Sequence, residues 1–319
     1  MVDGAGWRDK RERGRLVFEG PDAAAFLHAL VSNDVASLQA GQGVYATYLT
    51  PQGRLLADLR IFRRDDNILA DVPVGAAERL AARFDQLIFA EDVRVADASS
   101  AIAQCAVVGA DAERALTRAF GLDRQRLQTL PLWAQMVAAD GWIARTDDVE
   151  GGSFDIFLPI SSYAGLVARL ADAGALPMSR ETAEVLRIEA GRPAFGLDMT
   201  EDTIPLEAGL LERAISTTKG CYVGQEVIIR VLHRGGGRVA KRLVRVEFDP
   251  PMGSPPAAGT PLVESGQEVG RLTSAAWSPR RDRIVALGYV RRDVAEGGRR
   301  IAARLDAIEL GGRIVGLAG

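Results

Sequence analysis

The sequence predicts an α+β fold over its first two-thirds and a small β-barrel from about residue 240 onward. Two observations predict the first part. Extended apolar runs are separated by tight turns, and helical stretches with one apolar face lie between them. A third predicts the barrel: short strands with glycine turns and little helix. A chain of 319 residues suits two or three domains.

Leu16-Val17-Phe18 reads as a short strand. Gly20-Pro21-Asp22 then opens a helix, with Pro21 suited to its first turn. Phe26, Leu27, Leu30 and Val31 give that helix one apolar face, and Asn33-Asp34 stops it. Three extended runs follow at 44–49, 55–62 and 68–72, turned by Pro51-Gln52-Gly53 and by Asp65-Asp66-Asn67. Residues 76–88 read as a helix, with Leu80, Phe84, Leu87 and Ile88 on one face. Residues 93–95 and 101–108 read as strands. A second block repeats this grammar without repeating the residues. It has a strand at 154–158, a helix from Ser161 carrying Leu166, Val167 and Leu170 and ended by Gly174, and a helix capped by Ser179 that runs to Gly191, where Pro193 prevents continuation. In the last third, residues 243–248 alternate, Pro250-Pro251 and Pro255-Pro256 form a stiff link, and 260–274 reads as a hairpin around Ser265-Gly266-Gln267. Strands at 284–290 and 307–317 follow, the latter turning at Gly311-Gly312.

Composition narrows the function. Apolar residues make up 47% and charged residues 25%, which is ordinary globular material. A net charge of −3 argues against a protein devoted to nucleic acid. No apolar run reaches the ~20 residues of a membrane helix. The N-terminus carries Arg8, Lys10, Arg11, Arg13 and Arg15 without an apolar stretch behind them, and Asp3, Asp9 and Glu12 interrupt them, so neither a secretory signal nor a transit peptide is expected. Cytoplasmic residence is the default. Cys105 and Cys221 are the two cysteines and His28 and His233 the two histidines, too few for a disulfide framework, an iron–sulfur cluster or a structural metal site.

The segment Lys219-Gly220-Cys221-Tyr222-Val223-Gly224-Gln225-Glu226 concentrates chemistry. The apolar run behind it places Cys221 at or just before the N-terminus of a short helix. There the helix dipole and Lys219 would favour the thiolate. Tyr222 offers a flat face, Gln225 an amide and Glu226 a carboxylate, while Gly220 and Gly224 let backbone approach a ligand. Generic chemistry leaves two readings open: an activated thiol, or a packed and inert cysteine.

That octapeptide resembles the signature of the YgfZ family, folate-binding proteins that support iron–sulfur cluster assembly and repair. The run from Arg187-Ile188-Glu189-Ala190-Gly191-Arg192-Pro193 through Asp198-Met199-Thr200 to Ile204-Pro205-Leu206-Glu207-Ala208-Gly209-Leu210 resembles the wider group that includes the glycine-cleavage T-protein, an aminomethyltransferase. So do Phe26-Leu27, Asn33-Asp34-Val35, and Leu49-Thr50-Pro51-Gln52-Gly53-Arg54-Leu55 with Asp58. The resemblance runs from about Gly14 into the barrel. It implies an aminomethyltransferase-like folate-binding fold: two intertwined α+β lobes over 1–238, the second roughly 45–150, plus a C-terminal β-barrel over 239–319, arranged as a ring around tetrahydrofolate or a folate derivative. It implies iron–sulfur proteins or their assembly machinery as partners, and a monomer. Cys221 and Lys219 become the candidate reactive residues. Tyr222, Gln225, Glu226, Glu189, Asp198 and Arg230 become candidate folate contacts.

An anionic folate tail wants cations, and Lys219, Arg230, Arg234, Arg238, Lys241, Arg242 and Arg245 face only Glu226 among acids between 219 and 245; a solvated basic face explains the same run. The resemblance to the T-protein is incomplete. That group assists aminomethyl transfer with a second-domain aspartate, whereas the matching stretch, roughly 71–80, shows Val72-Pro73-Val74-Gly75-Ala76-Ala77-Glu78-Arg79. Gly152-Ser153-Phe154-Asp155 likewise lacks the acid expected three residues before the Phe. Both departures favour an accessory factor over a transferase, with tetrahydrofolate-dependent aminomethyl or methyl transfer as the alternative. Cys105 reads as core, His28 as a surface or packing residue, and Gly235-Gly236-Gly237 as a hinge. His233, on the helix expected to carry Cys221, lies too far along it for a thiolate–imidazole pair.

Overall fold

The computed structural model describes residues 4–233, 236–250, 254–306 and 308–319. Arg234 and Gly235 of the basic run and the glycine hinge, Pro251 of the proline link, and Ala307 lie outside the described residues. The chain divides into two compact units that alternate along the sequence. The first comprises Met1–Tyr48, Ala57–Arg180 and Ser216–Tyr222; the second comprises Leu49–Leu56, Glu181–Ile215 and Val223–Gly319.

The first unit holds two sheets. Strands Gly6–Asp9 (β1) and Gly14–Glu19 (β2) precede helix Ala23–Leu30 (α1), whose Phe26, Leu27 and Leu30 are buried on one face. Asp22 is the residue before the helix, so Pro21 stands outside its first turn. The Asp22 carboxylate accepts the Asp92 amide at 2.8 Å, which fixes this residue to another loop ahead of the helix. Gly43–Leu49 (β3), Leu55–Arg63 (β4), Asn67–Val72 (β5), helix Ala77–Asp85 (α2) and Arg94–Asp97 (β6) follow. The strands pair in the order β3-β4-β5-β2-β6. On α2, Leu80 and Phe84 are buried, and the Phe84 ring meets Phe18 edge-on at 5.4 Å. The helix stops at Asp85, so Leu87 and Ile88 lie beyond it, half-buried.

Ile102–Val108 (β7) begins the second sheet. Ala112–Phe120 (α3), Arg124–Gln128 (α4), Gln135–Ala138 (β8) and Gly141–Thr146 (β9) fill a stretch for which no element was expected. Ser153–Pro159 (β10), Tyr163–Asp172 (α5), the two-residue Leu176–Pro177 (β11) and Arg180–Glu189 (α6) follow. The order is β11-β1-β7-β10-β9-β8, antiparallel except for β1 with β11.

A buried ionic cluster joins the two sheets. Lys10 Nζ lies 2.7 Å from Asp155 on β10 and 3.0 Å from Asp148. Arg60 on β4 reaches Asp148 at 2.6 Å and Asp71 on β5 at 2.9 Å, and Arg13 reaches Asp71 at 2.6 Å. Gln104 on β7 donates to both Asp71 and Asp155. Burial alone would raise the Asp71 carboxyl, but Arg13 and Arg60 beside it pull it down to about 2.

The second unit carries helices Leu211–Ala214 (α7) and Gln225–His233 (α8), then six strands: Lys241–Phe248 (β12), Pro261–Glu264 (β13), Gln267–Ser278 (β14), Arg283–Arg291 (β15), Arg300–Leu305 (β16) and Ile308–Leu317 (β17). They close into an antiparallel barrel in the order β12-β15-β14-β13-β16-β17. Val244, Val246, Phe248, Leu262 and Ile314 belong to its core. The 265–266 turn sits where the sequence places it. The expected turn at Gly311-Gly312 does not form, because β17 runs straight through both residues. A Cβ on Gly312 would stand 2.6 Å from the Glu247 carbonyl, so this glycine serves close strand packing.

Lys10→Met strands Asp155 in a buried site without its cation. The expected cost is about 3–5 kcal/mol, read as a drop in unfolding free energy by urea titration.

Candidate functional site

The octapeptide is divided between the units, and each half has its own anchor. In the first unit, the Lys219 ammonium donates to the backbone carbonyls of His28, Val31 at 2.7 Å and Asn33 at 3.2 Å. These carbonyls lie in and just after the last turn of α1, where helical carbonyls lack partners and the dipole favours a cation. The expected charge beside the thiol is therefore committed to closing a helix end. Burial pulls the Lys219 ammonium down to about 8, with Asp34 opposing. Tyr222 is buried, and Lys219 Nζ stands 5.0 Å from its ring centroid. Burial pushes its hydroxyl up to about 12.

Between these two anchored residues, Cys221 is an exposed free thiol. Of the two expected placements, at or just before the helix N-terminus, it takes the second, ahead of the helix and outside its first turn. Helix α8 begins at Gln225, after a turn at Val223-Gly224. Gly224 has φ +84°, a left-handed conformation that keeps α8 from extending back through it toward Cys221. Cys105, by contrast, is fully buried in β7, where burial raises its thiol pKa.

In the second unit, Gly224 packs on the 50–53 turn. A Cβ on Gly224 would lie 2.5 Å from the Thr50 carbonyl, and one on Gly53 would lie 2.9 Å from Val227. The same turn is tied down by the Leu55 amide, which donates to the Thr203 carbonyl at 2.9 Å. Two separate stretches singled out in the sequence thus meet through backbone contact.

Beyond that turn, α8 lines a cavity of about 450 Å³ with Gln225, Glu226, Val227, Ile229, Arg230 and His233. Three of the expected ligand contacts, Gln225, Glu226 and Arg230, come together here. Of the remaining basic run, Lys241 instead pairs with Glu207 at 3.8 Å, and Arg242 donates to the Gly237 carbonyl.

Glu189 and Asp198 have other partners. Glu189, buried at the end of α6, accepts from Ser278 on β14 and from Arg280 at 3.0 Å. Asp198 accepts from Thr273 at 2.5 Å, Ser274 at 2.7 Å, Arg187 at 2.6 Å and the Ala194 amide at 3.0 Å. Both carboxylates fasten the 187–198 segment to the barrel. Their burial reflects these bonds.

The sequence reading assigned no role to Asp58. This β4 carboxylate is 5% exposed, with Oδ2 taking the Tyr45 hydroxyl at 2.9 Å and Oδ1 left without a protein donor. A buried acid with an uncommitted oxygen is costly to the fold, which marks Asp58 as a candidate functional group. The available signal was an acid within the apolar start of this strand, Leu55-Leu56-Ala57-Asp58-Leu59.

Among the described residues, no group of three or more His, Cys, Asp or Glu side chains is placed to hold a metal, and no helix is long and apolar enough to cross a membrane. Residues 1–219 match the family described as the GCVT N-terminal domain, and residues 241–316 match the glycine cleavage T-protein C-terminal barrel domain. This chain belongs to the glycine-cleavage T-protein family. It is 31% identical over 302 residues to the aminomethyltransferase of Rubrobacter xylanophilus, covering 94% of this chain and 79% of that protein. It is likewise 31% identical over 321 residues to the aminomethyltransferase of Geobacillus kaustophilus, covering 98% and 86%. The solved glycine cleavage system aminomethyltransferase T from Bartonella henselae superposes with a TM-score of 0.87 at 25% identity, over 99% of this chain and 86% of that one. The T-protein family uses tetrahydrofolate.

With Lys219 lowered to about 8 in the folded chain, the unfolded chain binds more protons at this residue above that pH. This group therefore adds stability as pH rises from about 8 toward the ordinary lysine value. Lys219→Met is expected to flatten that rise, measured as unfolding free energy against pH beside the wild type.

Proposed function

We propose that this T-protein relative is a tetrahydrofolate-binding accessory protein of iron–sulfur cluster assembly or repair, of the YgfZ kind. The observation that carries the reading is Cys221: an exposed thiol whose flanks are fixed by the Lys219 carbonyl contacts and by Gly224 against the 50–53 turn. A thiol held this way can meet a partner protein or a cluster without the segment first having to order. In this proposal the folate-binding region is 1–238 and the barrel 239–319.

The α8 cavity fits a reduced folate in size and chemistry. Val227 and Ile229 supply apolar wall, Gln225 and Glu226 hydrogen-bonding groups for a pterin edge, and Arg230 a cation for the glutamate tail. Tyr222 and Lys219 hold the segment in place. Glu189 and Asp198 act as positioning residues, through the seam they make with the barrel. Bound tetrahydrofolate would supply a one-carbon acceptor at its reduced pterin.

A second reading, tetrahydrofolate-dependent aminomethyl or methyl transfer, is favoured by Asp58. Its unpartnered oxygen can accept a proton or hold a cationic amine. The relatives named aminomethyltransferase support this class of chemistry.

Calorimetric titration with tetrahydrofolate tests the folate site that both readings share. Wild type is expected to bind, and Arg230→Ala to weaken binding about tenfold. Cys221→Ala should keep the fold and the folate affinity while lowering the activity of cluster-dependent enzymes in cells. Normal activity of those enzymes in that variant would sink the thiol reading. Catalytic formation of methylene-tetrahydrofolate from methylated glycine derivatives, lost in Asp58→Asn, would establish the second reading instead.

A further inference from the structure

Away from these residues, the first unit presents an apolar hollow of about 430 Å³. Ala25, Phe26, Ala29 and Leu30 of α1 line it, with Leu87 and Ala90 from the loop after α2. Beside it stands Phe89, 85% exposed. An aromatic ring so exposed costs solvation free energy, and a loose loop would fold it away.

This loop is tied down. The Glu91 carboxylate accepts the amides of Phe89 at 2.9 Å and Ala90 at 3.0 Å. Asp22 Oδ2 accepts the Asp92 amide at 2.8 Å, and the Asp22 amide returns to the Asp92 carbonyl at 3.3 Å. The knob and the hollow are therefore held side by side on one face.

Charge selects the occupant. The charged residues lining the hollow are Asp22 and Glu91, both acids. A second copy of the chain docked about a two-fold axis would bring these acids against their own counterparts. A segment with an apolar side chain for the hollow and basic residues beside it meets both needs.

We propose that this face docks a partner protein through a short segment in which an apolar anchor is flanked by Lys or Arg. The hollow takes the anchor, Phe89 packs along it, and Asp22 and Glu91 meet the flanking cations. This surface is independent of folate binding and of Cys221.

The test places the photo-crosslinking residue benzoyl-phenylalanine at position 89 of the full chain in cells, followed by sequencing of the crosslinked peptide. The expected product is a peptide of another protein carrying an apolar residue next to Lys or Arg. The double variant Asp22→Asn, Glu91→Gln keeps an acceptor for every amide and removes both charges; it is expected to cut the yield about tenfold. Thermal unfolding and tetrahydrofolate titration of the purified variants verify that they remain folded. Crosslinks to a second copy of the chain, to lipid, to peptides without basic residues, or to nothing overturn the proposal, as does an unchanged yield in the double variant.

Discussion

The octapeptide depends on the way Lys219 satisfies carbonyls at the end of α1. A helix terminus leaves acceptors without donors, and an ammonium buried there can serve several at once. A neutral side chain of the same length cannot. This one interaction joins residues almost two hundred positions apart in sequence and sets where Cys221 emerges. The chain's three lysines, Lys10, Lys219 and Lys241, are all engaged: with carboxylates, with carbonyls, and with Glu207. Arginine supplies the remaining positive charge of a chain with 39 basic residues.

The same logic reassigns the buried acids. Glu189 and Asp198 looked like ligand contacts because charged residues near a specific motif suggest a site. Each accepts donors from the barrel: Glu189 from Ser278 and Arg280, Asp198 from Thr273 and Ser274. In the first unit, Asp71, Asp148 and Asp155 are bound to Lys10, Arg13 and Arg60. Asp58 differs because one of its oxygens has no such partner. The buried carboxylates thus differ in whether each oxygen has a protein donor.

Much of the fold was legible in the sequence. The apolar runs of β3, β4, β5 and β15 and the helical spacing of Leu80 and Phe84 carry their own signal, since burial of one face dictates the period. The turn at Ser265-Gly266 was equally clear. Gly6–Asp9, Gln135–Ala138 and Gly141–Thr146 were not, because these strands are short and mixed in polarity and owe their pairing to β7, β9 and β10 respectively. Gly311-Gly312 misled for a physical reason: glycine marks tight turns and close strand contacts alike. At the candidate site, the residue types of the octapeptide were readable. The use of Lys219 as a helix-end donor was not, because its partners lie in α1.

The closed barrel has a further consequence for how the chain fails. A barrel whose six strands close on one another offers no free edge for another polypeptide to extend. The open sheets of the first unit end on short strands such as β8, where Val137 is largely exposed. Intermolecular strand pairing during heating or slow refolding therefore starts from the first unit. The barrel enters such aggregates only as a passenger, retaining its own pairing until the chain as a whole unravels.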